Sequence, residues 1–185
     1  MSTQTMKAAR WHAAKDIRVE ETAIPTPNDN QVKIEVKFTG ICGSDLHEYN
    51  HGPQLIPYDK PYLLNGHQGT TTLGHEFSGI IDEVGKNIKH FKKGDRVVVE
   101  PIFRNPESPF IAKGEYNLSE PLGFVGLTSN GGFAKYVVVE DYMVHKIPDD
   151  FTYEQGALVE PAAVAVYAVQ QSGLSAGDTV LVSGA

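Results

Sequence analysis

The 185-residue sequence has one cysteine, Cys42, and one tryptophan, and Lys and Arg (16) are outnumbered by Asp and Glu (23). A single cysteine excludes an intrachain disulfide and makes a reducing compartment the simplest expectation. No cationic stretch followed by an apolar one opens the chain, and no apolar run approaches the roughly 20 residues of a membrane-spanning helix. These absences predict a soluble, cytoplasmic protein with no membrane partner. The formal charge is −7 and basic residues form no cluster. A nucleic-acid partner is therefore not expected, because tracking phosphates requires clustered cations.

What is present reads as mostly β with some α. A hydrophobic content of 41% over this length can bury one core, which fits one domain or one with an appendage. Residues from Met6 to Val19 alternate like two short antiparallel strands, and the prolines and asparagines from Pro25 to Asn30 mark a break. Gln31 to Phe38 alternates in strict period two, predicting a half-buried strand with Val32, Ile34, Val36 and Phe38 inward. Further strands are expected over Ile80–Val84, up to Val99, over residues 132–139 and, as a short edge strand, over Met143–Ile147. Tyr49 to Thr72 is a long polar loop expected to rim a cleft, with His51 and His67 in solvent. Thr152 and Gln155 fit a capping box for a helix that Gly173 closes, and Gly177 to Ser183 carries a strand signal.

The residues with chemistry gather around Gly74-His75-Glu76. Neutral imidazole and carboxylate are ordinary ligands for zinc. Adjacent residues on a strand face opposite ways, which makes His75 the better ligand and leaves Glu76 behind it or in exchange with it. Cys42 stands between Gly40 and Gly43 at the end of the Gln31–Phe38 strand, a position suited to holding metal geometry. Ser44, Asp45 and His47 follow within one or two helical turns; the plainer expectation has Ser44 capping that helix and the other two on its wet face. Glu160 lies in the middle of an apolar helical stretch. A carboxylate buried without a partner costs several kcal/mol, so it is neutralised, paired or metal-bound. Pro161 is expected to bias it away from helical geometry.

The frame G-H-E-x-x-G-x-x-x-x-x-G from Gly74 to Gly85, the following Gly94-Asp95-Arg96-Val97, the upstream Gly40-Ile41-Cys42-Gly43-Ser44-Asp45-Leu46-His47 and the later Leu158-Val159-Glu160-Pro161 closely resemble the catalytic domain of zinc-dependent medium-chain alcohol and polyol dehydrogenases. The resemblance runs from Met6 over nearly the whole chain. It implies a GroES-like, partly open β-barrel over residues 1–151, then linking helices and the first strand of a truncated Rossmann domain over 152–185. It implies one catalytic zinc held by Cys42, His75 and Glu160, with Glu76 as an exchanging carboxylate. Ser44 would hold the substrate hydroxyl, His47 would pass its proton to solvent, and Asp45 would orient His75.

The same resemblance implies NAD(H) as cofactor of a complete enzyme that is a homo-oligomer, although Gly184-Ala185 alone supply no dinucleotide site. Many relatives carry four cysteines around a structural zinc in the segment after Glu100. Here that segment has none, and Glu107, Glu115 and Glu120 have no ligand spacing, so no second zinc is expected. Its prolines would supply part of the stiffening instead. The substrate class is a small alcohol or diol. The stretch Glu48 to Pro53 is similar to dehydrogenases of vicinal diols, which favours 2,3-butanediol or acetoin. Sorbitol or threonine oxidation, and a GroES-like scaffold without chemistry, stand as alternatives.

Overall fold

A computed structural model describes residues 4–183, and its elements follow the alternation and capping signals of the sequence closely. The strands are β1 (Thr5–Ala13), β2 (Asp16–Ala23), β3 (Gln31–Thr39), β4 (Thr71–Thr72), β5 (Phe77–Val84), β6 (Arg96–Val99), β7 (Tyr136–Glu140) and β8 (Val144–Lys146). The helices are α1 (Gly43–His51), α2 (Tyr153–Ala157) and α3 (Val159–Ser172). Two antiparallel sheets result, in the orders β2-β1-β4 and β7-β3-β5-β6-β8. Residues 133–135 stitch them together: Ala9 N donates to Phe133 O at 2.8 Å, Val36 N donates to Lys135 O at 3.0 Å, and Ala8 bridges Ala134. The result is the mostly β, partly open barrel that the resemblance implies.

The inner faces bury Val32, Ile34, Phe77, Ile81, Val97 and Met143, and Trp11 packs with Leu73 and Leu127 in a neighbouring cluster. Each such side chain contributes about 1.5–3 kcal/mol of burial, so the core fixes the strands whose ends carry the chemistry. Phe38 departs from the expected inward set, being 44% exposed while Val32 and Ile34 are fully buried. The cause is the register shift against β5 at Val36/Phe38, where Lys37 is the extra residue on β3 and interrupts its period-two facing; the other shift, at Lys33/Ile34, has its extra residue on β5 and leaves Val32 and Ile34 both inward.

Thr152 and Gln155 close the expected capping box: Gln155 N donates to the Thr152 hydroxyl at 3.2 Å and Thr152 N donates to Gln155 Oε1 at 2.8 Å. The helix they start stops at Leu158, and α3 follows as a separate helix ending at Gly173. Pro161 therefore sits in the first turn of α3, where its missing N–H has no intrahelical acceptor to lose. Glu160 keeps helical geometry beside it, which corrects the expectation of a displaced carboxylate in mid-helix. Val164, Val166 and Val169 of α3 are more than half exposed. The expected strand over Gly177–Ser183 is not formed: Val180, Leu181 and Val182 are exposed, and no described segment pairs with them. An extended segment without a ladder partner has nothing to hold it as a strand. Gly184 and Ala185 lie outside the described residues. No helix among the described residues is long and apolar enough to cross a membrane.

Candidate metal centre

The centre lies where β3 hands over to α1 and β4 to β5. Cys42 is the N-cap of α1, and the buried Asp45 carboxylate accepts from Cys42 N at 2.9 Å and from Gly74 N at 3.3 Å. One acid thus ties the thiol-bearing turn to the backbone just ahead of His75. Cys42 rather than Ser44 takes the cap position, and Ser44 Oγ, the group that the resemblance assigns to the substrate hydroxyl, stands 3.4 Å from His75 Nε2. Asp45 is not on a wet face, and its carboxyl is pushed up by burial, against which the two N–H bonds and His75 act. His47, three residues beyond Ser44 on α1, is exposed.

His75 and Glu76 belong to no strand; they occupy the irregular link between β4 and β5, entered through Gly74 at φ +92°. The rule that neighbours face opposite ways does not hold there, so both buried side chains reach one place. Cys42 Sγ, a His75 ring nitrogen and a Glu76 carboxylate oxygen lie within 4.8 Å of one another. Glu76 gains this position because Gly40 has no side chain: a Cβ there would overlap the Glu76 carboxylate. The backbones also meet, with Gly40 N donating to Glu76 O at 2.7 Å.

These donors fit a zinc ion. Sulfur, imidazole nitrogen and carboxylate oxygen together suit a borderline cation, whereas calcium and magnesium prefer oxygen alone. His75 Nδ1 is buried and has no hydrogen-bond partner among the described residues, with Asp45 Oδ1 3.9 Å away. A metal-bound histidine ordinarily gives its second nitrogen to such a carboxylate, and a small ring adjustment would complete that contact. The thiol and histidine are those expected from the sequence, while the carboxylate in the trio is Glu76.

Glu160 stands outside the trio, half-buried at the start of α3. Its carboxyl is pushed up to about 7, first by burial and then by the negative charge of Glu76. It is also in the wall of a groove of about 590 Å3 between α3 and the loop after β6, with Tyr116, Asn117, Val164 and Tyr167. Of the two loop histidines expected in solvent, His51 is exposed. His67 is half-buried and bonded to Thr71 Oγ1 at 2.8 Å, and burial, then the Arg10 charge, lowers its pKa.

Residues 28–149 match the alcohol dehydrogenase GroES-like domain. The chain is 54% identical over 180 residues to the (R,R)-butanediol dehydrogenase of Bacillus subtilis (strain 168), covering 97% of this chain and 51% of that enzyme. It is 36% identical over 176 residues to the sorbitol dehydrogenase of Homo sapiens, covering 94% and 47%. The crystal structure of 2R,3R-butanediol dehydrogenase from Bacillus subtilis superposes with a TM-score of 0.87 at 54% identity over 94% of this chain and 49% of that one. An Escherichia coli CFT073 alcohol dehydrogenase complexed with NADH superposes with a TM-score of 0.82 at 30% identity, over 95% and 48%. The chain spans about half the length of each.

Proposed function

Because the chain belongs to the alcohol dehydrogenase GroES-like domain family, we propose that it is the catalytic-domain portion of a zinc-dependent dehydrogenase that oxidises a small vicinal diol, 2,3-butanediol, to the ketol acetoin with NAD(H). The observation that carries this reading is the meeting of Cys42, His75 and Glu76 donors beside the Ser44 hydroxyl. In this reading residues 1–151 form the catalytic unit, and 152–185 lead to a nucleotide-binding domain. The whole enzyme is then cytoplasmic and homo-oligomeric.

Cys42 and His75 would be the fixed ligands, on a helix cap and a glycine-framed link. The negative charge of Glu76 acts on Glu160, and a cation held nearby would relieve that repulsion. A catalytic zinc takes three protein ligands, so beside Cys42 and His75 one carboxylate would be needed: Glu76, whose oxygen lies with them, or Glu160. Zinc bound there supplies Lewis-acid character toward an alcohol hydroxyl. Ser44 would hold the substrate hydroxyl by accepting its hydrogen bond, and as that proton moves to Ser44 Oγ the serine would release its own toward the exposed His47 on the next turn, which passes it to solvent and prepares the carbon to lose hydride. Butanediol is preferred over sorbitol because identity to the butanediol enzyme is 54% against 36%.

The test is zinc content together with turnover of the protein joined to its nucleotide-binding half. The expected result is about one tightly held zinc per chain and NAD-dependent oxidation of 2,3-butanediol ahead of sorbitol. A replete protein without zinc would end the reading.

A further inference from the structure

The loop between β6 and β7 contains a charged hub with no part in the chemistry above. From Pro101 to Pro121 it has neither cysteine nor histidine and only two short 3-10 turns, at Ile111–Lys113 and Tyr116–Leu118. Ordering so long a segment is costly in chain entropy, so something must hold it. Its stem is clasped by ordinary bonds: Phe103 N donates to Gly123 O at 2.9 Å and Asn105 Nδ2 to Glu120 O at 2.6 Å. The tip beyond the stem has a different holdfast, Arg104.

The Arg104 guanidinium lies over the ring of Tyr116, 3.9 Å from its centroid, and over that of Tyr142 at 4.8 Å. Its Nη2 donates to Glu100 Oε2 at 2.9 Å and to Tyr142 O at 3.5 Å, and its backbone N donates to the Tyr142 hydroxyl at 3.3 Å. Nε is buried without a hydrogen-bond partner among the described residues. The Glu100 carboxylate also acts on the Tyr116 phenol, whose pKa it raises. Three residues, from the end of β6, the loop tip and the turn after β7, thus meet on one cation. Arginine suits this place because a planar guanidinium stacks on aromatic rings while forking to a carboxylate, which a lysine ammonium cannot do.

Tyr116 and its neighbour Asn117, with Gly114, carry the tip of the loop into the groove beside Glu160, and Asn117 Nδ2 reaches the Tyr167 hydroxyl of α3 at 3.4 Å. We propose that Arg104 is a positioning residue: stacked on Tyr116 and Tyr142 and paired with Glu100, it fixes the tip of the 101–121 loop as the wall of the groove facing Glu160. No donor of the candidate metal centre touches Arg104, so the proposal stands or falls separately from the zinc reading.

Hydrogen exchange of the intact protein, resolved by peptide, tests it with Arg104→Met, Arg104→Lys, Tyr116→Leu and Tyr116→Phe. In Arg104→Met and Tyr116→Leu, amides from 106 to 118 should exchange about tenfold faster or more, an opening free energy change of about 1.4 kcal/mol. Those of β3 and β5 should not change. Phenylalanine at 116 keeps the ring and should restore most of the protection that leucine loses, whereas lysine at 104 should not restore what methionine loses. Should Arg104→Met fail to fold, the Tyr116 pair carries the same comparison. Unchanged exchange at 106–118, equal acceleration across the sheets, or full protection with lysine would each overturn the proposal.

Discussion

The Glu76 carboxylate occupies the space that a side chain at residue 40 would fill, and the two residues are joined by the 2.7 Å bond from Gly40 N to Glu76 O. The glycine at the end of β3 is therefore a condition for the carboxylate to join Cys42 and His75. Gly40→Ala should push Glu76 out of the trio while leaving the thiol and imidazole in place. Displacing a group that supports or completes a metal site costs roughly 10–100-fold in affinity. Zinc competition with a chromophoric chelator should show a loss in that range; unaltered affinity would mean that Glu76 contributes nothing to holding the ion.

Removal of the fixed donors should be more severe. Cys42→Ser and His75→Ala are expected to lose more than the roughly 10–100-fold range of a supporting residue. Glu76→Gln and Glu160→Gln should each weaken binding less, and the double variant should lose more than either single change. Cobalt substitution gives a second view, since the thiolate-to-cobalt absorption should vanish in Cys42→Ser and persist in both glutamine variants. Full zinc affinity in the double glutamine variant would refute a role for either carboxylate.

Glu160 also makes a prediction for the metal-free protein. Its carboxyl is raised from 4.5 to about 7 by burial and by Glu76, so the folded state binds the extra proton between those values. Stability present below pH 4.5 is then lost as pH rises to about 7. Partial exposure limits the effect to on the order of 1 kcal/mol. Chelator-treated protein should melt at progressively lower temperature across that window. Glu160→Gln should flatten the slope, and Glu76→Gln should reduce it by removing the second cause. A slope of the opposite sign in wild type would contradict the assignment.

The elements legible in the sequence were those set by local rules. Alternation marked β3 and its buried Val32 and Ile34, the Thr152–Gln155 pair marked the start of α2, and glycine framing singled out Cys42 and His75. Signals that depend on distant partners were not legible. Phe38 turned outward because of the register shift at Val36/Phe38 against β5, a property of the pairing and not of the β3 sequence. Glu76 joined His75 because the link after Gly74 is not a strand, and the space it fills belongs to a residue 36 positions earlier. The Arg104 hub gathers positions 100, 104, 116 and 142, whose spacing matches no periodic pattern.

The last prediction concerns the substrate of the protein completed by a nucleotide-binding half. A vicinal diol presents a second hydroxyl next to the reacting carbon, and Glu76 and Ser44 are the polar groups beside the candidate centre able to receive it. A site built to bond a hydroxyl rejects an analogue lacking it more strongly than the roughly 10–200-fold that one methylene in an apolar pocket provides. Catalytic efficiency should therefore fall from 2,3-butanediol to 2-butanol by more than that range, with sorbitol and threonine also behind butanediol. Residues 1–185 taken alone should not turn over at all, because hydride transfer needs the nicotinamide held against the bound alcohol. Sorbitol or threonine ahead of butanediol would replace the substrate assignment. Equal efficiency on 2-butanol would remove the second hydroxyl from the account while leaving the zinc chemistry intact.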